Sequence, residues 1–245
     1  MVYHKVSGSM PEAENTEEVR AFFTQWKTYQ CIMEHNYLRH REAYAALHQF
    51  LLGHFQKPFS VLDFGCGDAA AMADALHGTK VHQYEGVDFS AVALRLAEKN
   101  MEKIRCRRNF LCEDFSVVAR KTEARADLLW IGLSFHHLSA SQKTEFVGFC
   151  RRILGTSGYF LCFEPVLAEG ESRPQFLERW WSACQAQWTA LTAKEREDIR
   201  RHVFSADFPE TISFLEQIGH QHGFRRVESL FCDPDRLYQL VCFHA

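Results

Sequence analysis

The stretch FSVLDFGCGDAA, residues 59–70, constrains this chain more than any other. An apolar run of the kind that forms a strand buried on both faces ends at Gly65. Gly65 and Gly67 then supply a tight turn, and a helical pattern begins directly after it. Without side chains at those two positions the backbone can approach a ligand closely. A strand feeding a helix across such a turn belongs to a helix-covered parallel sheet. Open sheets of that kind bind ligands at the carboxyl ends of their strands.

The alternation continues. AAAMADALHG (69–78) predicts a helix stopped by Gly78, and VHQYEGVDF (81–89) a second strand. Ser90 is placed to cap a helix that puts Ala93, Leu94, Ala97 and Met101 on one face. RRNFLCEDF (107–115) and ADLLWIGLSF (126–135) read as the third and fourth strands. A helix over 139–154 opens with the capping-box spacing Ser139/Gln142 and stops at Gly155, before GYFLCFEPV (158–166), the fifth strand. A helix from Pro209 to His222, opened by Asp207/Glu210, precedes FRRVESLF (224–231), and after the turn CDPDR the chain returns as LYQLVCF (237–243). Two strands that close together pair as a hairpin, so the last runs antiparallel. The expected fold is α/β, a Rossmann-like open sheet, mostly parallel, with an antiparallel C-terminal strand.

Two segments stand outside the alternation. Residues 1–16 are polar, and a helical pattern follows over 16–56 with Tyr37/Leu38, Tyr44/Ala45 and Leu51/Leu52 at seven-residue spacing. We read 1–57 as an N-terminal helical extension and 58–245 as the main domain. Its Trp26, Tyr29, His35, Tyr37 and Arg39 either close over a ligand or pack on the sheet edge. Residues 167–208 are too long for an ordinary connection and read as an inserted lid with helices near 174–190 and 193–204. Its Trp180, Trp181 and Trp188 either line an acceptor pocket or form a core of their own.

Composition narrows the partners. Hydrophobic residues make up 47% and charged residues 24%, as in a globular chain rather than a disordered one. The net charge of −3 provides no field to hold nucleic acid, and the cluster Lys103, Arg105, Arg107, Arg108 reads as a solvated face. No apolar stretch is long enough to span a bilayer, and the N-terminus lacks a signal-peptide pattern, so the expectation is a cytoplasmic protein without a membrane partner. Nine scattered cysteines without a CxxC pair fit reduced, small apolar residues. No clustered ligand set is visible, so no metal is expected. Oligomeric state is not legible.

The strand ends carry the chemistry. Asp63 precedes the glycines, Asp88 ends the second strand about 20 residues on, and Glu113-Asp114-Phe115 end the third. Gly65-x-Gly67-x-x-Ala70 also fits a dinucleotide fingerprint. Asp63 argues against it, because a carboxylate there would face a negative pyrophosphate and suits a cationic amino group instead. Asp88 can accept hydrogen bonds from ribose hydroxyls, and an acid beside an aromatic can hold and stack an adenine.

In this order and spacing the chain resembles the class I S-adenosylmethionine-dependent methyltransferases, strongly over about 59–166 and more weakly over the C-terminal hairpin. The resemblance implies that Asp63, Gly65 and Gly67 hold the methionine part of S-adenosylmethionine and Asp88 the ribose. Phe89 would flank the adenine, with Asp114 and Phe115 in the adenine-binding motif. In GLSFHHL (132–138), Leu133 and Ser134 would lie under the cofactor. The family often has Gly where this chain has Ala69. The implied reaction moves a methyl group to O or N of a small molecule, leaving S-adenosylhomocysteine. His136, His137 and Glu164 are candidate bases. The rival readings are a protein or RNA methyltransferase, a non-catalytic cofactor-binding subunit and an NAD-dependent oxidoreductase.

Overall fold

The computed structural model describes residues 27–245. The expected loose head and Trp26 lie outside them. Helix α1 covers 27–34 of the described residues and α2 covers His40–His54. The expected unbroken helix is interrupted over 35–39, where Asn36 and Arg39 adopt left-handed φ values of 54° and 57°. The break takes Tyr37/Leu38 out of the heptad. The buried face of α2 is Ala43, Leu47, Phe50 and Leu51, with Tyr44 packed against the same core; of the expected residues Tyr44 and Leu51 face inward, whereas Ala45 and Leu52 turn to solvent.

From residue 59 the alternation stands as expected, with one helix, Phe115–Lys121, added between the third and fourth strands. β1 (Phe59–Phe64), α3 (Ala70–Leu76), β2 (Val81–Asp88), α4 (Ala91–Met101) and β3 (Arg107–Cys112) come first. Then follow α5 (Phe115–Lys121), β4 (Leu128–Gly132), α6 (Ala140–Leu154) and β5 (Tyr159–Leu167). Ser90 caps α4 by accepting the Ala93 N–H, and both halves of the Ser139/Gln142 capping box form at α6. Residues 167–208 hold α7 (Arg173–Gln187) and α8 (Ala193–Ala206). β6 (Glu210–Thr211), α9 (Ile212–Gln221), β7 (Arg226–Cys232) and β8 (Tyr238–His244) close the chain.

Three boundaries differ from the sequence reading. The third strand stops at Cys112, because Asp114 caps α5 by accepting the Ser116 N–H at 2.8 Å. The fourth stops at Gly132, because Leu133 turns at φ 54° into a short 3-10 turn, Phe135–His137. The last helix begins at Ile212, capped by Thr211, because Glu210–Thr211 joins the sheet beside Val166–Leu167.

The sheet order is β3-β2-β1-β4-β5-β8-β7, with β6 beside β5. β1 to β5 pair parallel, while β8 runs antiparallel to both β5 and β7. Side chains alternate between two cores. Val61, Leu128, Trp130, Leu161 and Phe163 face α2, α3 and α7, whereas Leu62, Phe64, Leu129, Ile131 and Phe160 face α6 and α9. The chain winds outward from β1 in one direction and from β4 in the other. The strand ends flanking that reversal are where open sheets place a ligand.

Candidate active site

Asp63 ends β1 next to this reversal, level with Trp130 of β4 and Gly86 of β2. It is 2% exposed. Tyr84 of β2 donates its hydroxyl to Asp63 Oδ2 at 2.7 Å, while Oδ1 is buried without a hydrogen-bond partner among the described residues. Burial pushes the carboxyl up to about 7, the Tyr84 bond opposes the rise and Asp88 adds to it. A buried carboxylate oxygen without a donor suits a cationic group delivered by a ligand.

The turn that follows is held by the neighbouring strand. Gly65 and Cys66 donate their N–H groups to the Val87 carbonyl, and Gly67 donates to Asp88 Oδ2 at 3.0 Å. Ser90 donates to the other oxygen of Asp88 at 2.8 Å, so Asp88 ties the glycine turn to the start of α4. Gly65, Gly67 and Ala69 all adopt left-handed φ values. Phe89 is 40% exposed beside this turn. Asp114 is exposed and occupied as the cap of α5, and the Phe115 ring lies edge-on to Phe146 at 5.5 Å. Asp63, Gly65, Gly67 and Asp88 thus come together, while Phe115 packs partly into the second core.

Across the reversal, the loop after β4 is built on Glu164. This buried carboxylate, 3% exposed on β5, accepts the N–H groups of Ser134, Phe135 and His136 at 3.1, 3.0 and 3.2 Å. It also accepts from His136 Nδ1 at 2.5 Å. The Leu133 N–H bonds to the Phe163 carbonyl, which completes the attachment of the loop to β5. The His137 ring lies 4.1 Å from that of His136, tilted at 59°, and burial with the neighbouring imidazole holds its pKa far below the ordinary histidine value, so the ring is neutral. Asp207, at the end of α8, stands against both imidazoles. Sequence reasoning gave Asp207 a helix-capping role and missed Tyr84. Both act on residues distant in sequence, and no local pattern singled out Tyr84 within the mixed strand VHQYEGVD.

Residues 61–158 match the family model described as "Methyltransferase domain". These residues form a methyltransferase domain, and the fold is that of the class I S-adenosylmethionine-dependent methyltransferases. It is an enzyme, and S-adenosylmethionine is its methyl donor. No curated protein matches this methyltransferase in sequence. Among solved structures it is similar in fold to the plantazolicin methyltransferase BpumL, determined with a desmethyl-plantazolicin analogue and S-adenosylhomocysteine. The two are 14% identical over 92% of this chain and 93% of that one, with a TM-score of 0.61. The magnesium protoporphyrin IX methyltransferase of Synechocystis PCC 6803 shares 9% identity over 84% and 79% of the two chains, with a TM-score of 0.56. The cyclopropane synthase MmaA2 of Mycobacterium tuberculosis shares 19% over 78% and 62%, with a TM-score of 0.54. Among the described residues of the methyltransferase no helix is long and apolar enough to cross a membrane.

The two glycines of the turn make different demands. A Cβ at Gly65 would stand 2.7 Å from Ser134 Oγ, whereas one at Gly67 would meet no protein atom within 4 Å. We expect Gly65→Ala to lower stability by about 1–3 kcal/mol through the clash and the left-handed φ. Gly67→Ala is expected to cost only about 1 kcal/mol of backbone strain while filling open space above the turn, so it loses affinity for S-adenosylhomocysteine with little change in melting temperature. Melting curves and calorimetric titration of the two variants check this. Equal loss of stability in both would contradict it.

Proposed function

We propose that this methyltransferase moves a methyl group from S-adenosylmethionine to an oxygen or nitrogen of a small-molecule acceptor. The observation that carries the reading is the carboxylate-backed imidazole pair, His136 and His137, seated at the carboxyl ends of β4 and β5 and roofed by the end of α8. An acceptor O–H or N–H must lose its proton, and a neutral imidazole is suited to take it. Glu164 acts as the positioning group for His136, whose Nε2 is the proton acceptor, while His137, its pKa held far below the ordinary histidine value by burial, is too weak a base for that role and packs against it.

In this reading the unpartnered oxygen of Asp63 receives the ammonium of the methionine part, and the backbone of Gly65 and Gly67 lies against it. Asp88 retains lone pairs for the ribose hydroxyls. Phe89, Asp114 and Phe115 bound the adenine, and Leu133 and Ser134 lie beneath the cofactor. S-adenosylmethionine supplies a methyl group already activated on a sulfonium, so what remains for the protein is chiefly alignment, worth up to about 7–11 kcal/mol.

Residues 167–208 serve as an insertion over the acceptor and 1–57 as an N-terminal extension, of which the described part 27–57 lies against that insertion. Tyr37 stacks on Trp188 at 5.2 Å and accepts the Ala190 N–H, so the two segments close against each other. Such closure favours a small enclosed acceptor over a polymer. Trp180 and Trp188 are buried in the core rather than open to a ligand. The basic cluster supports no RNA groove, since Lys103 pairs with Asp74 and Arg108 donates to the carbonyls of Met101 and Ile104. A cytoplasmic setting accords with nine free cysteines.

Two measurements test the reading. Calorimetry is expected to show binding of S-adenosylmethionine and S-adenosylhomocysteine but not NAD, and Asp88→Ala to weaken it more than tenfold. An unchanged dissociation constant would remove Asp88 from the cofactor seat. Transfer of labelled methyl groups is expected into a small-metabolite fraction. Label appearing only in protein or RNA would overturn the acceptor class, and binding without any transfer would point to a non-catalytic subunit.

A further inference from the structure

The group around Asp207 has the composition and spacing of a metal centre. One nitrogen from each of His136 and His137 and one oxygen of Asp207 all lie within 4.8 Å of one another. Asp207 Oδ1 stands 3.6 Å from His136 Nε2 and 3.5 Å from His137 Nδ1. Both separations are too long for good hydrogen bonds. They are close to the about 3.3 Å that separates two ligands of one tetrahedral zinc ion. Asp207 is 8% exposed, and its Oδ1 has no hydrogen-bond partner among the described residues although it faces both rings.

A second, independent feature is the support behind the first ring. His136 donates Nδ1–H to Glu164, which fixes the tautomer and leaves the Nε2 lone pair toward Asp207. A carboxylate behind a histidine is the arrangement that orients metal-binding imidazoles. Asp207 is equally well held. Arg173 donates to its carbonyl and to that of Phe204, and the Phe208 N–H bonds to the carbonyl of His136. The end of α8 is thereby locked to the loop that carries the histidines.

Charge points the same way. Lys143 is buried next to this group and bonds to Glu210 at 2.9 Å. Three carboxylates, Glu164, Asp207 and Glu210, against the Lys143 ammonium and the Arg173 guanidinium leave one negative charge in the group when both imidazoles are neutral. A bound cation offsets it. Nitrogen and carboxylate donors together suit zinc and its first-row neighbours.

We propose that His136 Nε2, His137 Nδ1 and Asp207 Oδ1 bind a divalent first-row transition metal ion such as Zn2+, with a coordination position left for the acceptor. His137 Nδ1 also lies 3.2 Å from the Ala206 carbonyl, a bond that it makes as the Nδ1–H tautomer and gives up on binding the ion. Binding of the ion does not depend on the acceptor. Its use rests on the reading above. An acceptor hydroxyl bound to the ion ionises more readily and passes its proton to solvent, so the ion replaces His136 as the agent of deprotonation.

The test is titration of the chelator-stripped full chain with Zn2+ and, separately, Co2+. We expect one equivalent of either to bind saturably, with a visible Co2+ spectrum of nitrogen and oxygen ligation. Asp207→Asn and His137→Ala are each expected to weaken binding at least tenfold, and Glu164→Gln by about 10–100-fold. Binding of S-adenosylhomocysteine by the same variants reports an intact fold. If a variant does not fold, the wild-type Co2+ spectrum decides. The proposal is overturned by an absence of saturable binding, by equal affinity in Asp207→Asn and wild type, or by a thiolate charge-transfer band that assigns the ion to cysteines. Failure here leaves His136 as the proton acceptor. Metal binding without methyl transfer would instead count against the acceptor reading alone.

Discussion

Replacing Glu164 by alanine is expected to lower the unfolding free energy by about 3–5 kcal/mol, the cost of breaking a buried charged network by removing one partner. The side chain is the sole acceptor that gathers three successive backbone N–H groups, of Ser134, Phe135 and His136, together with the ring N–H of His136. Phe135 and His136 are buried, so water does not readily replace the lost oxygen. Each buried donor left without an acceptor costs about 1–3 kcal/mol. For a chain of this size 1 kcal/mol moves the melting temperature by about 2–4 °C, so a fall of about 10 °C is expected in chelator-containing buffer. Glu164→Gln keeps one acceptor oxygen but turns an amide N–H toward a donor, and should fall between the two. A melting temperature for Glu164→Ala within about 2 °C of wild type would mean that the loop after β4 is held by something else.

This network also shows where sequence reading stops. The strand–helix alternation was legible because burial on both faces of a parallel sheet writes itself as short apolar runs, and because Gly65, Gly67, Gly78 and Gly155 mark turns that need left-handed backbone. The cofactor end of the site was legible for the same reason, since Asp63, Asp88 and the glycines sit at strand ends that local pattern already locates. The short helix α5 was not, because seven residues leave too little periodicity to distinguish from a strand end. Nor was the convergence of His136, His137, Glu164 and Asp207. These groups lie about 30 and 70 residues apart, on two connections and a strand, and meet only because β4 and β5 are adjacent and the Phe208 N–H returns the end of α8 to His136. No local spacing records such a meeting, so the expectation of no clustered ligand set reflected what a linear pattern contains.

Asp63 is expected to make cofactor affinity depend on pH near neutrality. Burial holds its carboxyl at about 7, with the neighbouring Asp88 adding to the rise and the Tyr84 hydroxyl opposing it. The unfolded carboxyl titrates near about 4, so between these values the folded chain carries the extra proton. By linkage, the contribution of Asp63 to stability is then lost as pH rises from about 4 to 7. Ligand binding runs the other way. The ammonium of S-adenosylhomocysteine stays charged over this range and pairs with ionised Asp63 only. Affinity should therefore rise about tenfold from pH 6 to pH 8, following the ionised fraction of a group titrating near 7. Asp63→Asn should abolish that dependence and weaken binding about a hundredfold at pH 8, the scale of a desolvated hydrogen bond to a charged group. Tyr84→Phe removes the one bond that favours the carboxylate and should displace the rise to higher pH. Calorimetric titrations at pH 6, 7 and 8 check all three. A wild-type affinity independent of pH, or an Asp63→Asn variant that retains it, would show that the cation binds elsewhere and that the buried oxygen of Asp63 serves the fold rather than the cofactor.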